Sequence, residues 1–329
     1  MTDIQSFIKA FKFGNAQDEA AGTGCTVVVC HAGAIGGVDV RGGAPATRET
    51  DLLKPVNSVS EVHAIFLSGG SAYGLDVAGG IMKALEKRGI GFDVSCGVVP
   101  IVPGACLFDL GVGESSVRPD ASFGEAAVEA AFAEAPFELG NKGAGTGASV
   151  GTMSSKDRAM KSGLGAGFAQ AGEIKVGAIF AVNALGDVYD RTKNEIVAGL
   201  RTPDGSAFAD SELTLRSFFN SVDENNALST SSVKNTTIGC VFTNAKITKA
   251  QANKLASTAH DGLARAIRPV HTSFDGDTIF TLASGEVELP EAAVGTLLFS
   301  LAVSATEQAV LSAVMEAKGA YGLPAACDL

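Results

Sequence analysis

The residue of this sequence that could most directly act as a catalytic group is a threonine at the start of an apolar run. Thr236 lies in the stretch Lys-Asn-Thr-Thr-Ile-Gly, which joins a polar segment to the apolar run 238–242. If the bond between Asn235 and Thr236 were cut, the new α-amine, with an unperturbed pKa of about 7.7–8, would be the nearest base for the threonine hydroxyl. Before cleavage the same hydroxyl can attack the Asn235 carbonyl and form an ester that water opens. The simpler alternative is a turn followed by β-favouring threonines.

Two carboxylates flank a glycine in Phe-Asp-Gly-Asp-Thr, immediately before another apolar run. Asp275 and Asp277 could hold the α-ammonium of Thr236, orient its hydroxyl or relay protons during acyl transfer. Asp-Gly-Asp is also an ordinary turn, or part of a calcium-type oxygen cluster, although the other ligands of an EF-hand are missing. The residues alone favour the turn.

Polar and glycine-rich segments provide candidates for oxyanion stabilisation. Asn183 ends an apolar segment, where an amide is typical of a surface turn. Residues 140–152, which include Gly145 and Gly147, could bring backbone N–H groups close to a nucleophile. This stretch matches neither GxxxxGK[ST] nor GxGxxG, which argues against a nucleotide site. Ser71, in Ser-Gly-Gly-Ser-Ala-Tyr-Gly, does not lie in a GxSxG elbow, and a strand-to-helix turn explains that segment equally well.

Apolar runs and helical patterns alternate along the chain and indicate an α/β protein. The runs that predict core strands are residues 26–29, 64–67, 176–182, 238–242 and 278–283. The segments that predict helices are residues 75–87, 126–133, 248–267 and 294–315. Polar residues 306–308 interrupt the last segment, so we expect a buried helix there and not a membrane span.

Details of two segments add to this prediction. Thr248 and Gln251 have the spacing of a capping box at a helix start. His260 lies beside the apolar stripe of the same helix, where we expect a packed or surface histidine more readily than a catalytic one. Residues 203–234 are rich in Ser, Asn, Asp and Glu and predict an exposed loop before the candidate cleavage site.

Composition bounds the class of protein. The chain has 329 residues, 46% of them hydrophobic, and 40 glycines, which suggests tight turns and close backbone packing. A net charge of −11 argues against nucleic acid and anionic membranes as partners. The six cysteines show no zinc-like spacing and are expected to be reduced and buried. The first residues lack the pattern of a signal peptide, and we expect a cytoplasmic protein.

The motifs taken together resemble one family. In order and composition, DVRGGAPATRETDLL, SGGSAYGLDVAGG, GAGTGASVG, VNALGDVYD and ITKAQANKLASTAHDGLARAIRPVHTSFDGDTIF are similar to the DmpA-type L-aminopeptidase/D-amidase-esterase family. Its members are self-processing N-terminal-nucleophile hydrolases, including β-peptidyl aminopeptidases and the nylon-oligomer hydrolase. The resemblance extends from about Gly14 to Gly319.

The resemblance implies a fold and an activity. The expected fold is an α-β-β-α layered sandwich formed by a single catalytic domain, residues 1–329. The expected activity is hydrolysis of small peptides or amides through an acyl-enzyme, with neither cofactor nor metal, by a homo-oligomer that is a tetramer or larger. Self-cleavage would separate residues 1–235 from residues 236–329, giving bands of about 24 and about 9–10 kDa when the 33.3 kDa mass is scaled by length.

The resemblance also assigns roles to individual residues. Thr236 is implied as the nucleophile, Asn183 as an oxyanion-hole donor, and Asp277, more safely than Asp275, as support for the nucleophile. The glycine-rich loop would bring Gly145 and Gly147 to the oxyanion, with Ser71 and Phe108 near the substrate.

Two departures from the relatives concern the site. Threonine-nucleophile relatives often carry Lys at the position of Thr152, so an ammonium is absent here or comes from Lys156 or Lys161. The aminopeptidase branch has a Glu and a Tyr around residues 105–108, where this chain has Ala105, Cys106 and Phe108. These apolar residues favour a relaxed or endo-acting amidase over a strict aminopeptidase.

Two other functional classes stay open at this point. An acyltransferase of the ornithine acetyltransferase type would share the architecture and the self-cleavage, with an amine instead of water as acceptor. An uncleaved binding or structural protein would remain a single full-length band on a denaturing gel.

Overall fold

The computed structural model describes residues 4–133, 136–154, 156–220 and 235–329. The helices are α1 Ile4–Phe7, α2 Val77–Glu86, α3 Ala121–Phe132, α4 Ser211–Asn220, α5 Lys249–Ala266, α6 Glu291–Ala293 and α7 Phe299–Met315. The strands are β1 Phe11–Asp18, β2 Thr23–Val40, β3 Ala46–Arg48, β4 Glu61–Ser68, β5 Phe92–Asp93, β6 Val98–Val99, β7 Gly104–Cys106, β8 Ser149–Val150, β9 Met160–Lys161, β10 Leu164–Ala171, β11 Ile174–Ala181, β12 Asp187–Asp190, β13 Glu195–Ala198, β14 Ile238–Ala245, β15 Ile267–Arg268 and β16 Thr278–Val287.

Strand β2 belongs to both layers of the central sheet. Its first half pairs with β1 and β4, and its last six residues pair with β16. Nine strands therefore form one hydrogen-bonded sheet in the order β10-β11-β14-β16-β2-β4-β7-β3, with β1 added to β2. The two halves of this sheet face each other, because Phe11 and Phe13 of β1 contact Phe242 of β14, with ring centroids 5.5 and 5.0 Å apart.

Helices cover the two outer faces of the folded sheet. Helices α2 and α3 pack on β1, β2 and β4 through a cluster that includes Val27, Phe66 and Ile81. Helix α5 packs on β2 and β16 and helix α7 on β10 and β11, around a second cluster that includes Phe180 and Leu255. The order is helix, strand, strand, helix, so the expected α-β-β-α sandwich is confirmed. Its two strand layers are parts of one sheet that continues through β2.

Small residues allow close packing between strand β10 and the C-terminal helix α7. A Cβ added at Gly165 would lie 2.1 Å from the carbonyl oxygen of Ala309, so β10 and α7 approach more closely than any other residue at position 165 would permit.

The segment Glu291–Met315 is long and apolar enough to cross a membrane by length and composition, and 56% of its most apolar window is buried inside the protein.

The predicted core elements agree with the structure, with corrections of extent. Each of the five apolar runs lies within a strand or extends one by a residue, but β2 continues well past its apolar run. The capping box at Thr248 has both of its hydrogen bonds.

Two other expectations need correction. Residues 211–220 are helical, although we expected a loop; residues 221–234 lie outside the described ranges. The expectation that all six cysteines are buried is wrong for Cys96 and Cys327, which lie in the β5–β6 turn and near the C-terminus.

Candidate active site

Thr236 lies two residues before an interior strand of the sheet. Strand β14 pairs antiparallel with β11 on one side and parallel with β16 on the other. The N–H of Thr236 donates to the carbonyl oxygen of Asn183 at 2.8 Å, and the carbonyl oxygen of Thr237 accepts from the N–H of Thr278 at 3.2 Å. The side chain of Thr236 is buried, with the residue 5% exposed. The backbone of Thr236 is therefore fixed from both sides of the sheet.

The peptide bond before Thr236 carries two hydrogen bonds on its carbonyl oxygen. The Thr236 hydroxyl donates to the Asn235 oxygen at 2.5 Å, and the N–H of Gly276 donates to the same oxygen at 3.0 Å. A backbone N–H aimed at this oxygen can stabilise the charge that develops when the carbonyl carbon is attacked. The residues alone did not identify Gly276 as a donor; its place between two aspartates was the available signal.

The orientation of the Asn183 amide is determined by its neighbours. Its Oδ1 accepts from the backbone N–H of Ser149 at 3.0 Å, and its Nδ2 donates to the carbonyl oxygen of Phe108 at 3.0 Å. Because a backbone N–H can only donate and a carbonyl can only accept, the flipped amide would lose both bonds. Asn183 is 2% exposed, so the alternative of a surface turn does not hold, while its role toward an oxyanion stays a prediction.

A cavity of about 330 Å³ opens beside this peptide bond. Asn235 and Asn183 form the part of the wall that adjoins Thr236, since Asn235 precedes Thr236 in the chain and the Asn183 carbonyl accepts its N–H. The wall mixes apolar, hydroxyl, amide and cationic side chains. Its described lining is Phe108, Gly111, Val112, Ser149, Thr152, Ser154, Lys156, Ala159, Asn183, Asn235 and Leu323.

The Asp277 carboxylate holds the backbone just after Thr236, whereas the Asp275 carboxylate holds its own loop. Asp277 accepts through Oδ1 from the N–H of Thr237 at 2.7 Å, and Asp275 accepts through Oδ2 from the N–H of Thr272 at 2.7 Å. Burial and the nearby charge of Asp277 raise the pKa of Asp275 to about 6. Both residues are buried, unlike those of an ordinary surface turn, and the described residues contain no group of three or more acidic, His or Cys side chains suited to a metal.

The glycine-rich loop contributes to the cavity through other residues than those expected. Among the described lining residues this loop provides Ser149 and Thr152, and neither Gly145 nor Gly147. The Gly145 N–H donates to the Lys142 carbonyl oxygen at 2.9 Å, and a Cβ at Gly147 would lie 2.2 Å from the Gly22 oxygen. In this structure the two glycines allow close packing; their role toward an oxyanion stays a prediction.

Ser71 lies in a strand-to-helix turn. Strand β4 ends at Ser68, and a 3-10 helix begins at Ser71, which adopts a left-handed conformation with φ 54°. The N–H of Gly70 donates to Asp109 Oδ1 at 2.7 Å, so this turn binds a carboxylate of the protein itself. Burial raises the pKa of Asp109 to about 6. Ser71 is absent from the described cavity lining.

The positions of the two departures from the relatives are now clear. Thr152 donates through its hydroxyl to Asn235 Oδ1 at 2.6 Å. Lys156 lines the cavity and donates to the Gly111 oxygen at 2.9 Å. Lys161 is fully buried and donates to the carbonyl oxygens of Gly145, Ala148 and Ser162, and burial lowers its pKa to about 7. Of the three apolar residues, Phe108 lines the cavity, whereas Ala105 and Cys106 are buried in β7.

Comparison with known proteins gives consistent results. The sequence profile of Peptidase family S58 matches residues 2–325. The chain is 40% identical to an uncharacterized aminopeptidase of Mycobacterium leprae, over 93% of this chain and 86% of the relative. It is 31% identical to a 6-aminohexanoate-oligomer endohydrolase of Kocuria sp., over 92% of this chain and 81% of the relative.

A solved structure shares the fold. The L-aminopeptidase D-Ala-esterase/amidase of Ochrobactrum anthropi, described as a variant of the Ntn hydrolase fold, superposes with a TM-score of 0.65 and 15% identity. The superposition covers 94% of this chain and 85% of that one. The N-terminal-nucleophile-like architecture expected from the sequence is therefore confirmed.

Proposed function

The chain belongs to peptidase family S58 and is a hydrolase of peptide or amide bonds, and from this premise we propose that it is a self-processing enzyme whose nucleophile is Thr236. One observation carries the proposal. The Thr236 hydroxyl lies 2.5 Å from the carbonyl oxygen of Asn235, two residues before an interior strand, and Asn235 and Asn183 line the neighbouring cavity, whose described lining does not include Thr236 itself.

Self-cleavage uses the groups around this peptide bond. Thr236 Oγ1 attacks the Asn235 carbonyl carbon, and the Gly276 N–H stabilises the resulting oxyanion. The C–N bond breaks, the freed α-amine takes up the hydroxyl proton, and an ester joins Asn235 to Thr236. Water hydrolyses the ester, leaving a carboxylate on Asn235 and a free hydroxyl and amine on Thr236.

Turnover repeats the same chemistry on an external amide. The α-amine of Thr236, held near the Asn183 carbonyl oxygen, accepts the hydroxyl proton as Oγ1 attacks the substrate carbonyl. The proton passes to the leaving amine, an acyl-enzyme forms, and water releases the acid. The Asn183 amide has two N–H donors and uses one on Phe108, so the second can serve the substrate oxyanion.

The cavity wall supports small amides as substrates. Its described lining contains no carboxylate and one ammonium, that of Lys156. A site that selects a free substrate amine needs a negative partner to offset the cost of desolvating that amine. The proposed enzyme therefore accepts amides with an uncharged acyl group, and a free amino terminus is not required. Phe108, Val112 and Leu323 give that group an apolar surface.

Intact-mass measurement of three variants tests the proposal. Thr236→Ala should remain one 33.3 kDa chain without amidase activity, whereas the wild-type chain should separate into the fragments 1–235 and 236–329. Thr237→Val is the matched control, because the Thr237 hydroxyl is buried without a hydrogen-bond partner in the described structure, and it should cleave normally. Thr236→Ser should retain cleavage. Normal processing of Thr236→Ala would refute the assignment.

A second assay addresses the acyl group and the acceptor. Anilides of alanine and of N-acetylalanine should be hydrolysed with rate constants within about 10-fold of each other, since no described carboxylate lines the cavity. A strict preference for the free amine would contradict the proposed substrate class. Product transfer to an added amine instead of water would indicate the acyltransferase alternative.

A further inference from the structure

A half-buried histidine binds the Asp277 carboxylate, which in turn binds the backbone just after Thr236. His271 donates to Asp277 Oδ2 through its backbone N–H at 3.2 Å and contacts the same oxygen through Nδ1 at 2.8 Å. The other oxygen, Asp277 Oδ1, accepts the N–H of Thr237 at 2.7 Å. One carboxylate therefore connects His271 to the peptide unit that directly follows Thr236.

The partners of the two ring systems determine where their protons lie. A carboxylate oxygen only accepts, so His271 carries a proton on Nδ1. His260 packs edge-on against His271, with ring centroids 4.7 Å apart, and its Nε2 lies 3.1 Å from the carbonyl oxygen of Asp39, so it carries a proton on Nε2. The remaining nitrogens, His271 Nε2 and His260 Nδ1, are buried without hydrogen-bond partners in the described structure.

The charges around the pair favour a neutral His260. Burial lowers its pKa to about 4, and the positive charge of Arg41 adds to this effect, while Asp39 opposes it. The groups that face His271 are Asp277 and Asp275 from its own loop and His260 from α5.

We propose that His271 is a positioning residue of the hydrolase site, which acts through Asp277 to fix the peptide that follows the Thr236 nucleophile. Neighbouring groups support this arrangement. The His260 ring packs against the His271 ring. The N–H groups of Arg41 and Gly42, just after β2, donate to the Asp277 carbonyl oxygen at 3.0 and 3.2 Å. This inference rests on the proposed function. In this role the His271 imidazole does not contact the substrate, and it affects the orientation of Thr236 only through Asp277.

Two substitutions at position 271 separate positioning from general structural support. His271→Asn keeps an N–H donor near the place of Nδ1 and tolerates the left-handed conformation observed there, φ 57°. His271→Ala removes the donor. We expect the Ala variant to lose about 10- to 100-fold in kcat and in the rate of self-cleavage with little change in KM, because a small displacement of a reacting group has effects of this size. The Asn variant should recover to within about 5-fold of the wild-type chain, a difference of about 1 kcal/mol in activation free energy.

Controls make the outcomes distinct. His31→Ala changes an exposed histidine and should match the wild-type chain in both rates. If Thr236→Ala is inactive but His271→Ala retains full kcat, the positioning role is wrong and the proposed function stands. If His271→Ala does not fold, the Asn variant decides: a folded Asn variant that neither self-cleaves nor hydrolyses amides would overturn the inference. If Thr236→Ala is active, the proposed function itself fails.

Discussion

Thr152 and Asn235 are joined by a hydrogen bond of 2.6 Å between the threonine hydroxyl and the asparagine Oδ1, on the wall of the cavity. The bond orients the residue that precedes the proposed cleavage site. The hydroxyl of Thr152 thereby holds the side chain on the acyl side of that bond.

Thr152→Val should slow self-cleavage by about 3- to 10-fold, because removing one hydrogen bond costs about 1 kcal/mol and leaves the Asn235 amide less fixed. The rate can be followed by intact mass after synthesis of the precursor in a cell-free reaction. Thr152→Ser keeps the hydroxyl and should cleave at the wild-type rate. Equal rates for the Val variant and the wild-type chain would show that the bond does not orient the cleavage site.

Gly276→Ala should impair self-cleavage by more than about 10-fold. A Cβ at this position would lie 2.8 Å from Thr236 Oγ1 and 2.8 Å from the Ala44 oxygen, so the nucleophile or the loop must move. The φ angle of Gly276 is not in the left-handed region, so the effect would come from contact and not from backbone strain. Gly79→Ala is a suitable control, since an added Cβ there meets no atom within 4 Å. Normal processing of Gly276→Ala would show that this loop does not confine the hydroxyl.

Asp275 should make the unfolding free energy fall as the pH rises from about 4 to about 6. Its pKa is about 6 in the folded protein against 3.8 for the free group, so the folded state binds the proton more tightly and loses this advantage as the carboxyl ionises. Urea unfolding of the Thr236→Ala chain, which stays uncut under the proposed function, measures the change across this range. Asp275→Asn in the same chain should reduce the fall by about 1–3 kcal/mol.

An exposed carboxylate provides the comparison for that measurement. Asp261 has a side chain that is 60% exposed, so Asp261→Asn is the exposed counterpart of Asp275→Asn. The idea that burial keeps Asp275 protonated would be abandoned if Asp275→Asn and Asp261→Asn gave the same pH dependence.

Sequence patterns identified individual site residues but did not predict which of them lie close together. Asn183 directly follows one apolar run and Thr236 precedes another, which is visible locally. Their contact depends on the antiparallel pairing of β11 with β14, in which Ala181 lies opposite Ile238, and such long-range pairing is not written in either segment. His271 was not identified, because its bond to Asp277 depends on a left-handed turn that only the folded loop shows.

The length of β2 could not be predicted from its local sequence either. Its predicted apolar run covers residues 26–29, and the segment His-Ala-Gly-Ala-Ile-Gly-Gly that follows Cys30 has little β propensity. The strand continues because its neighbours require it: β16 pairs along its last six residues, and Gly37 allows α5 to approach so closely that a Cβ would lie 2.4 Å from the carbonyl carbon of Ala252. Tertiary packing therefore overrides propensity in this segment.

The position of β14 in the middle of the sheet determines what a cut before it would produce. The strand would keep its ladders to β11 and β16, and Phe242 would stay enclosed between the two layers. The two polypeptides would thus migrate as a single particle in a native sizing column and come apart only in denaturant. Maturation would create a new chain end at the centre of the protein while its outer shape stayed the same.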